Sequence, residues 1–401
     1  MDIKVLPGLL RGTVTPPSSK SQCHREIICA ALAYGESRLE NIYFSDDINA
    51  TLRGASALGA NYTRKDAALR ITGGTAATAP CIDCGASATT LRLLLPLALV
   101  LHGEAAFTGT PSLMSRPMEP YLRLFRERGI EYELNGGCLH VRGRLAAGKY
   151  VLPGDVSSQF FSGLLLALPL LDGESRLYAE SEIQSRPYID MTLDSMKRHG
   201  VGVTCGDSEF IITPQRYKRG DCTVEGDWSH AALWLAAREL GNDISVEHMN
   251  ENSVQGDRIF SEYLHTLRRG GRAALDVSQC PDIVPPLALA AALRPGCCKI
   301  THAARLRYKE CDRLDAVSCV LNAIGADVVQ RADGLIINGV PQLRGGAAVD
   351  CRDDHRIAMM AAAAATVCRE PVVIRGAECV DKSYPDFWRV FRELGGAASA
   401  I

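Results

Sequence analysis

The sequence carries almost no net charge and no long apolar run, and both absences exclude classes of protein. Its 44 Lys and Arg residues nearly balance 46 Asp and Glu residues, for a formal net charge of −2. Nucleic-acid-binding proteins usually show a basic excess. No basic segment with a following apolar stretch opens the chain, and apolar runs such as residues 357–368 fall far short of the roughly 20 residues that span a bilayer. We expect a cytosolic protein that binds neither nucleic acid nor membranes.

Spacings typical of a metal site are also lacking. The 15 cysteines are scattered, and Cys81 and Cys84 form a C-x-x-C without a second pair at zinc spacing. His355 has no second histidine at a ligand spacing, so a hydrogen-bonding role is favoured for it. Most cysteines lie inside apolar segments, which is typical of buried, reduced thiols. The sequence therefore predicts no metal centre.

What the chain does contain is a sixfold repeat. Each copy reads as a helix, a glycine, a short strand, a polar turn and a second strand, as in "LFRERGIEYELNGGCLHVRG", and the last copy is truncated. Successive pivot glycines are separated by 70, 71, 70, 55 and 70 residues. A glycine suits the end of a helix because that position often needs a positive φ. The pivots are Gly59, Gly129, Gly200, Gly270, Gly325 and Gly395.

A second helix recurs in the same rhythm, and its polar residues gather at its start. These helices are apolar on most faces, so we expect them to be buried. Their N-terminal ends offer free N–H groups and a partial positive charge, which together favour anions. The predicted starts lie near Lys20, Ala88, Ser157, Asp227, Asp282 and Asp354.

Charged side chains at these helix starts indicate a ligand with several anionic groups. Cations in such number suit more than one phosphate or carboxylate, and a carboxylate held beside them is a candidate acid or base. A structural network of ion pairs is the alternative for Lys309, Glu310, Asp312 and Arg313, and a simple N-cap for residues 157–159. The cations are Lys20, Arg25, Arg116, Arg313, Arg356 and Lys382, and the carboxylates are Asp282 and Glu310.

Taken together, the motifs resemble those of the 3-phosphoshikimate 1-carboxyvinyltransferase family, also called 5-enolpyruvylshikimate-3-phosphate synthases. The resemblance runs through "SSKSQCHR", "SRP", "VSSQF", "SRPYID", "EGD", "PD", "KECDRL", "DHRIAM" and "DKSYPDF", in the family's order and over essentially the whole chain. It implies an α/β fold of two domains, each built from three βαβαββ units and often called an inside-out α/β barrel. One domain would be discontinuous and comprise residues 1–13 and 227–401, with phosphoenolpyruvate-side residues. Residues 14–226 would form the other, with shikimate 3-phosphate-side residues.

The resemblance also implies a reaction of the shikimate pathway, which leads to chorismate and the aromatic amino acids. The enolpyruvyl group of phosphoenolpyruvate passes to the 5-hydroxyl of shikimate 3-phosphate, phosphate leaves, and neither a metal nor an organic cofactor takes part. Asp282 would be the base on the hydroxyl, and Glu310, with Lys20 or Lys382, would shuttle the proton. A monomer with two small-molecule substrates is expected.

By position, the resemblance assigns two sets of binding residues. The shikimate 3-phosphate set is Lys20, Ser21, Arg25, Ser157, Ser158, Gln159, Ser185, Asp282 and Lys309. The phosphoenolpyruvate set is Lys20, Ala88, Arg116, Gln159, Arg313, Arg356 and Lys382.

The sequence departs from the family's pattern in several places, most of all in "CGASATTLR" (residues 84–92). Ala86 and Ala88 replace an asparagine and a glycine, whereas Gly85, Ser87, Thr89 and Arg92 remain. His24, Asp353 and Arg305 also stand where the family usually has asparagine. In this family an alanine at the position of Ala88 is associated with insensitivity to glyphosate, so we expect a working enzyme with weakened glyphosate binding.

Two alternatives stay open at this point. The sister enzyme that acts on UDP-N-acetylglucosamine would show Lys-Asn in place of Lys20 and Ser21, and a Pro-Gly-Gly-Cys loop that this sequence lacks. A non-catalytic anion-binding protein on the same scaffold would gain nothing from Asp282 and Glu310 beside its ligand.

Overall fold

The computed structural model describes residues 1–74 and 78–401, and it divides into two compact units. Unit 1 comprises Met1–Pro17 and Gly226–Ile401, and unit 2 comprises Ser18–Glu225. The first division follows Pro17 rather than residue 13, because strand β2 (Arg11–Val14) pairs with a later strand of unit 1 and the Asp227 N–H donates to the Pro17 carbonyl.

Unit 1 begins with strands β1 (Ile3–Val5) and β2, and the chain then builds unit 2. The helices of unit 2 are α1 (Lys20–Leu32), α2 (Asp46–Ala57), α3 (Ala88–Leu101), α4 (Pro111–Met114), α5 (Glu119–Arg128), α6 (Ser158–Ala167) and α7 (Arg186–Arg198). Its strands are β3 (Glu36–Glu40), β4 (Asn61–Lys65), β5 (Ala68–Thr72), β6 (Cys81–Asp83), β7 (Glu104–Thr108), β8 (Glu131–Asn135), β9 (Cys138–Arg142), β10 (Lys149–Leu152), β11 (Ser175–Ala179), β12 (Thr204–Cys205), β13 (Glu209–Ile212) and β14 (Cys222–Thr223). A 3-10 turn, Leu168–Leu170, extends α6.

Three four-stranded sheets with one shared topology make up unit 2. Their strand orders are β14-β3-β5-β4, β6-β7-β9-β8 and β10-β11-β13-β12. In each sheet the first strand of the order, an edge strand, is parallel to its neighbour. The remaining pairs are antiparallel. In the second sheet, for example, Ile82 pairs with Phe107, which in turn pairs with Leu139.

The second segment of unit 1 continues the same pattern. Its helices are α8 (Trp228–Glu239), α9 (Phe260–Arg268), α10 (Val284–Ala292), α11 (Arg313–Ala323), α12 (His355–Ala365) and α13 (Phe387–Glu393). Its strands are β15 (Asp243–Val246), β16 (Gly271–Asp276), β17 (Gly296–Thr301), β18 (Asp327–Arg331), β19 (Gly334–Asn338), β20 (Ala348–Asp350), β21 (Val372–Arg375) and β22 (Ala398–Ala400). The 3-10 turns are Gly256–Ile259, Pro281–Ile283, Ala304–Tyr308 and Ala377–Lys382.

Unit 1 repeats the topology of unit 2 twice and shortens it once. Two of its sheets have four strands, in the orders β16-β17-β19-β18 and β20-β21-β1-β22, whereas the third consists of β2 and β15 alone among the described residues. The prediction of a hairpin after Gly270 was wrong. Gly270 is followed directly by β16, which is the parallel edge strand of the next sheet. The short spacing of 55 residues between Gly270 and Gly325 reflects this shorter repeat.

The predicted helix positions are confirmed. All six pivot glycines have a positive φ, between 66° and 113°. The second helices begin within two residues of their predicted starts, and every residue of α10 and α12 is buried. Within residues 1–74 and 78–401, no helix is long and apolar enough to cross a membrane.

Candidate active site

Most repeat-phased helices begin with a side chain that binds their own free N–H groups. Ser19, Ser87 and Ser157 cap α1, α3 and α6, and Asp227 and Asp354 cap α8 and α12. Each cap satisfies one or two N–H groups and leaves the remaining positive end of the helix available to charged groups. The predicted site residues lie at these ends, in two clusters, one in each unit.

In unit 2, Lys20 is held by a carboxylate that the sequence did not predict. Its ammonium donates to Asp47 Oδ2 at 2.7 Å, and the two side chains are 16% and 5% exposed. Asp47 lies in the first turn of α2, where a carboxylate also interacts favourably with the helix dipole. The pair fixes the position of the ammonium at the start of α1.

Arg25, in contrast, is enclosed by protein groups. Its guanidinium donates to Thr192 Oγ1 at 2.7 Å and to the backbone carbonyls of Ser21 and Tyr188 at 2.6 and 2.9 Å. Burial lowers the pKa of Arg25 to about 10, which leaves it charged at neutral pH. The side chain is 1% exposed, so in this structure Arg25 joins α1 to α7.

Gln159 links the starts of α3 and α6. Its amide nitrogen donates to Thr89 Oγ1 at 2.8 Å, and its carbonyl oxygen accepts from Arg92 at 2.9 Å. Arg92 also donates to the Pro117 carbonyl at 3.0 Å, and this contact holds the loop that carries the half-buried Arg116. Ser158 is buried next to Gln159 in the first turn of α6.

The loop before Ala88 is supported from behind by a chain of buried hydroxyl groups. Ser87 Oγ accepts from Thr90 Oγ1 at 2.9 Å, and Thr90 Oγ1 lies 2.7 Å from Thr51 Oγ1. Thr51 is in turn 2.6 Å from His24 Nδ1 on α1. Ala88 is the first residue of α3, and 7% of its surface is exposed. His24 therefore connects α1 to the altered segment at residues 84–88.

Ser185 adopts a strained backbone at the start of α7. Its φ of 58° lies in the left-handed region, which costs a non-glycine residue about 1–3 kcal/mol and is common where ligands are held. The side chain is buried and forms no capping hydrogen bond to α7.

In unit 1, the cluster is centred on Asp282, in the 3-10 turn before α10. Arg313 donates to Asp282 Oδ1 at 2.9 Å, and Arg356 donates to Asp282 Oδ2 at 3.2 Å. Lys309 Nζ lies 3.5 Å from Oδ1. The carboxylate therefore has a cation on both of its oxygens.

Arg313 distributes its charge over three carboxylates. Besides Asp282, it donates to Glu310 Oε2 at 2.6 Å and to Asp354 Oδ2 at 2.8 Å. The side chain is 1% exposed. The ion-pair network that the sequence left as an alternative is present, and it includes both predicted catalytic carboxylates.

Arg356 connects this network to α8. It donates to Ser229 Oγ at 2.9 Å, and the Ser229 hydroxyl donates to the capping carboxylate of Asp227 at 2.5 Å. His230, the next residue of α8, lies 3.1 Å from the hydroxyl of Ser383, which directly follows the buried Lys382. The ends of α8, α10, α11 and α12 thus meet within unit 1.

The surrounding charges determine the ionisation of this cluster. Burial alone would raise the pKa of the Asp282 carboxyl, but the three cations around it hold that pKa well below its usual range. Burial would likewise lower the pKa of the Arg313 guanidinium, yet its three carboxylate partners raise it. For Lys309, burial dominates and lowers the pKa. Asp282 is therefore an anion at neutral pH.

Each unit thus gathers part of the predicted set. Unit 2 carries Lys20, Ser21, Arg25, Ala88, Arg116, Ser157, Ser158, Gln159 and Ser185, and unit 1 carries Asp282, Lys309, Glu310, Arg313, Arg356 and Lys382. Asp47 and Ser229 were missed because their partners are distant in sequence. In residues 1–74 and 78–401, no group of three or more His, Cys, Asp or Glu side chains is arranged to hold a metal ion.

Comparisons with known proteins point to one family. A family model described as EPSP synthase (3-phosphoshikimate 1-carboxyvinyltransferase) matches residues 6–391. A curated protein from Clostridium beijerinckii is 42% identical over 427 residues, with 98% of each chain covered. Another, from Clostridium kluyveri, is 43% identical over 419 residues, with 98% of this chain and 97% of the relative covered. Both are named 3-phosphoshikimate 1-carboxyvinyltransferase.

Solved structures agree on the fold. An EPSP synthase from Acinetobacter baumannii superposes with a TM-score of 0.82 at 26% identity, and both chains are covered completely. The enolpyruvyl transferase NikO from Streptomyces tendae also reaches 0.82, at 17% identity over 99% of this chain and 98% of its own, and this likeness shows the fold alone. The predicted fold class is confirmed. Because a family model and curated relatives match almost the entire length, the chain belongs to the EPSP synthase family of transferases.

Proposed function

We propose that the protein transfers the enolpyruvyl group of phosphoenolpyruvate to the 5-hydroxyl of shikimate 3-phosphate and releases phosphate. The observation that carries the proposal is the pair of carboxylates, Asp282 and Glu310, that share Arg313 within a cluster of cations. A protein that only binds anions has no use for carboxylates at that position. An acid–base enzyme with anionic substrates needs both kinds of group.

The chemistry assigns a task to each carboxyl group. Protonation of the methylene carbon of phosphoenolpyruvate creates a cation-like centre, which the 5-hydroxyl attacks to give a tetrahedral adduct. Loss of a methyl proton then expels phosphate. In this proposal Glu310 gives and retakes the proton, with Lys20 or Lys382, and Asp282 accepts the hydroxyl proton. Because its pKa is so low in the free protein, Asp282 becomes an effective base only when the ligand draws cations away from it.

The binding residues follow from the charge of each substrate. The phosphate and hydroxyls of shikimate 3-phosphate are assigned to Lys20, Ser21, Arg25, Ser157, Ser158, Gln159, Ser185, Asp282 and Lys309. The phosphate and carboxylate of phosphoenolpyruvate are assigned to Lys20, Ala88 through its backbone N–H, Arg116, Gln159, Arg313, Arg356 and Lys382. In the free protein Arg25 also donates hydrogen bonds to α7, and through them it holds the start of α1 in place.

Ala88 makes this enzyme poorly sensitive to glyphosate. Its methyl group stands at the first position of α3, beside the N–H groups that would receive an anion. Ala88 is buried in the hydrophobic core of unit 2, and Ser87 caps the first turn of α3 through the Thr90 N–H. A ligand longer than phosphoenolpyruvate would contact the Ala88 methyl group first.

The test is phosphate release by the purified protein with both substrates, repeated with Glu310→Gln and across a glyphosate titration. We expect release by the wild type, a loss of about 100-fold or more in the variant, and release that persists at high glyphosate. Ala88→Gly should lower the inhibitory glyphosate concentration by at least about tenfold, whereas Ala86→Gly, two residues earlier, should not.

No release with shikimate 3-phosphate would refute the proposal, and release with UDP-N-acetylglucosamine instead would assign the sister activity. Unchanged inhibition of the Ala88→Gly enzyme would refute the steric account alone. The cytosolic location and the monomeric state remain predictions, to be checked by cell fractionation and light scattering.

A further inference from the structure

Two cysteines lie in contact beside the predicted phosphoenolpyruvate cations of unit 1. Cys351 Sγ and Cys379 Sγ are 3.5 Å apart. Cys351 directly follows β20, and Cys379 lies in the 3-10 turn that follows β21. These strands are parallel neighbours in which Asp350 pairs with Arg375, so the sheet itself holds the two thiols together.

One cysteine of the pair is buried, and the other is partly exposed to solvent. Cys351 is fully buried, and its Sγ lies 2.7 Å from the Arg375 carbonyl oxygen and 3.0 Å from that of Gly376, which share its single S–H proton. Cys379 is partly exposed. A hydrogen bond with Cys351, and secondarily burial, raise the pKa of the Cys379 thiol. The Cys379 thiol is therefore largely protonated at neutral pH, which slows its oxidation.

Both cysteines are joined through short stretches of backbone to proposed ligand-binding groups. The Cys351 carbonyl accepts the N–H of Asp354 at 2.9 Å, and Asp354 caps α12 and binds Arg313. Arg356 follows in the first turn of α12. On the other side, Lys382 ends the 3-10 turn that contains Cys379. The two thiols therefore bridge the segments that present Arg356 and Lys382.

We propose that Cys351 and Cys379 form a reversible disulfide that switches the enzyme off under oxidising conditions. A disulfide requires a sulfur separation of about 2.05 Å, so the sulfurs must approach by about 1.5 Å. Because Cys351 Sγ also contacts the Gly376 carbonyl oxygen at 3.0 Å, this movement disturbs the backbone that leads to Cys379. A displacement of about 1 Å in groups that position a substrate can cost about 100-fold in rate. The regulatory effect rests on the proposed function.

The chemistry balances with a peroxide as the oxidant. The Cys379 thiol loses its proton and the thiolate attacks one oxygen of hydrogen peroxide. The O–O bond breaks, the departing hydroxide takes up that proton, and a sulfenic acid and one water form. Cys351 then attacks the sulfenic sulfur, the S–S bond forms, the S–O bond breaks, and a second water leaves with the Cys351 proton. Two thiols and one peroxide thus give one disulfide and two waters, and a dithiol reductant reverses the reaction.

The test is to treat the reduced, purified enzyme with hydrogen peroxide, block the remaining thiols and digest it without reduction. Mass spectrometry should find the Cys351 and Cys379 peptides joined and two hydrogens lighter. Amide exchange of residues 352–358 should change, turnover should fall by at least about tenfold with the larger effect on KM for phosphoenolpyruvate, and dithiothreitol should restore both.

Three variants make the result decisive. Cys351→Ser and Cys379→Ser should each keep the activity of the reduced enzyme, lose the cross-link and resist peroxide. Cys205→Ser, which removes an exposed cysteine of unit 2, should behave like the wild type. Absence of the joined peptide, a joined peptide with unchanged amide exchange, or inactivation that persists in Cys379→Ser would each overturn the proposal.

Failure of the disulfide and failure of the proposed function would be seen in different measurements. The cross-link and the amide exchange are measured without substrates. If the reduced enzyme releases no phosphate, the proposed function fails and the regulatory role fails with it, while the joined peptide still decides whether the disulfide forms.

Discussion

At the scale of single residues, Asp282 shows how a site for anions can also contain anions. Arg313 and two further cations pair with three carboxylates in this cluster. Its positive and negative charges are therefore equal in number before a ligand arrives. An incoming phosphate or carboxylate then competes with the protein's own carboxylates for the same guanidinium groups. Binding and activation of the base are therefore coupled, because the cations that turn to the ligand leave Asp282.

Asp282→Asn should separate turnover from binding. The amide keeps the shape but cannot accept the hydroxyl proton, so we expect kcat to fall by about 100-fold or more. Because Arg313 and Arg356 lose a competing anion, KM for phosphoenolpyruvate should stay the same or decrease. Steady-state kinetics with each substrate varied in turn measures both quantities. A raised KM with an unchanged kcat would contradict this role, and Asp276→Asn, at an exposed ion pair with His302, serves as the control.

At the scale of elements, helix caps hold the site together. Asp227 caps α8 by accepting from the N–H groups of Ser229 and His230, at 2.9 and 3.1 Å. Burial would raise its pKa, but His230 and Arg356 outweigh burial and lower it. The same residue therefore stabilises a helix and orients the serine that binds Arg356.

Asp227→Asn should destabilise the protein by about 1–2 kcal/mol at pH 7. Because the folded-state pKa of Asp227 is depressed, the stabilisation by its carboxylate is complete above the unfolded-state pKa of about 3.9 and is lost as pH falls towards the lower folded-state value. The difference between variant and wild type should therefore shrink below pH 4. Urea unfolding at pH 7 and at several acidic values measures it, and a difference that grows on acidification would contradict this assignment.

The buried hydrogen bonds that run from His24 through Thr51 and Thr90 to Ser87 should also stabilise the start of α3. Thr51→Val keeps the shape of the side chain and removes the central hydroxyl, so His24 and Thr90 each lose one buried hydrogen bond. We expect a loss of about 1–3 kcal/mol in stability and a raised KM for phosphoenolpyruvate. Thr266→Val is the matched control, because that hydroxyl binds the Glu262 carbonyl of its own helix. Urea unfolding and steady-state kinetics would show equal effects in both variants if these hydrogen bonds were unimportant.

Elements were largely predictable from the sequence, but contacts between them were not. The pivot glycines and the polar helix starts are local signals, and they located the repeats and their caps. The pairing of Lys20 with Asp47 depends on how two helices pack, and no local pattern encodes it. The same holds for Arg25, whose enclosure by α7 comes from residues more than 160 positions away.

At the scale of the whole molecule, the start of the chain is a structural part of unit 1. β1 lies between β21 and β22, and Ile3 pairs with Ile374 on one side and with Ala400 on the other. The short fourth repeat escaped prediction because a similar helix and glycine precede it. The missing hairpin is indicated by the 55-residue spacing between Gly270 and Gly325, and not by the helix-and-glycine motif itself.

Ile3→Ala should weaken unit 1 without affecting unit 2. Ile3 is 3% exposed at the centre of a four-stranded sheet, so truncation should cost about 2–5 kcal/mol. Lys4→Ala, on the exposed face of the same strand, should cost little. Limited proteolysis followed by mass spectrometry should show faster cleavage in residues 226–401 of the Ile3 variant, with 18–225 unchanged. Equal acceleration in both units would contradict this expectation.

The pairing of β1 with β22 also means that the order of the segments along the chain could be changed without changing the strand pairing. Residues 2 and 401 are hydrogen-bonded neighbours, with the Ile401 N–H 3.0 Å from the Asp2 carbonyl. A short linker could close the chain there, and new ends could be opened between Glu225 and Gly226. In such a circular permutant residues 226–401 and 1–17 would be translated as one continuous stretch, followed by 18–225. Each unit could then be made from a single uninterrupted gene segment and studied alone.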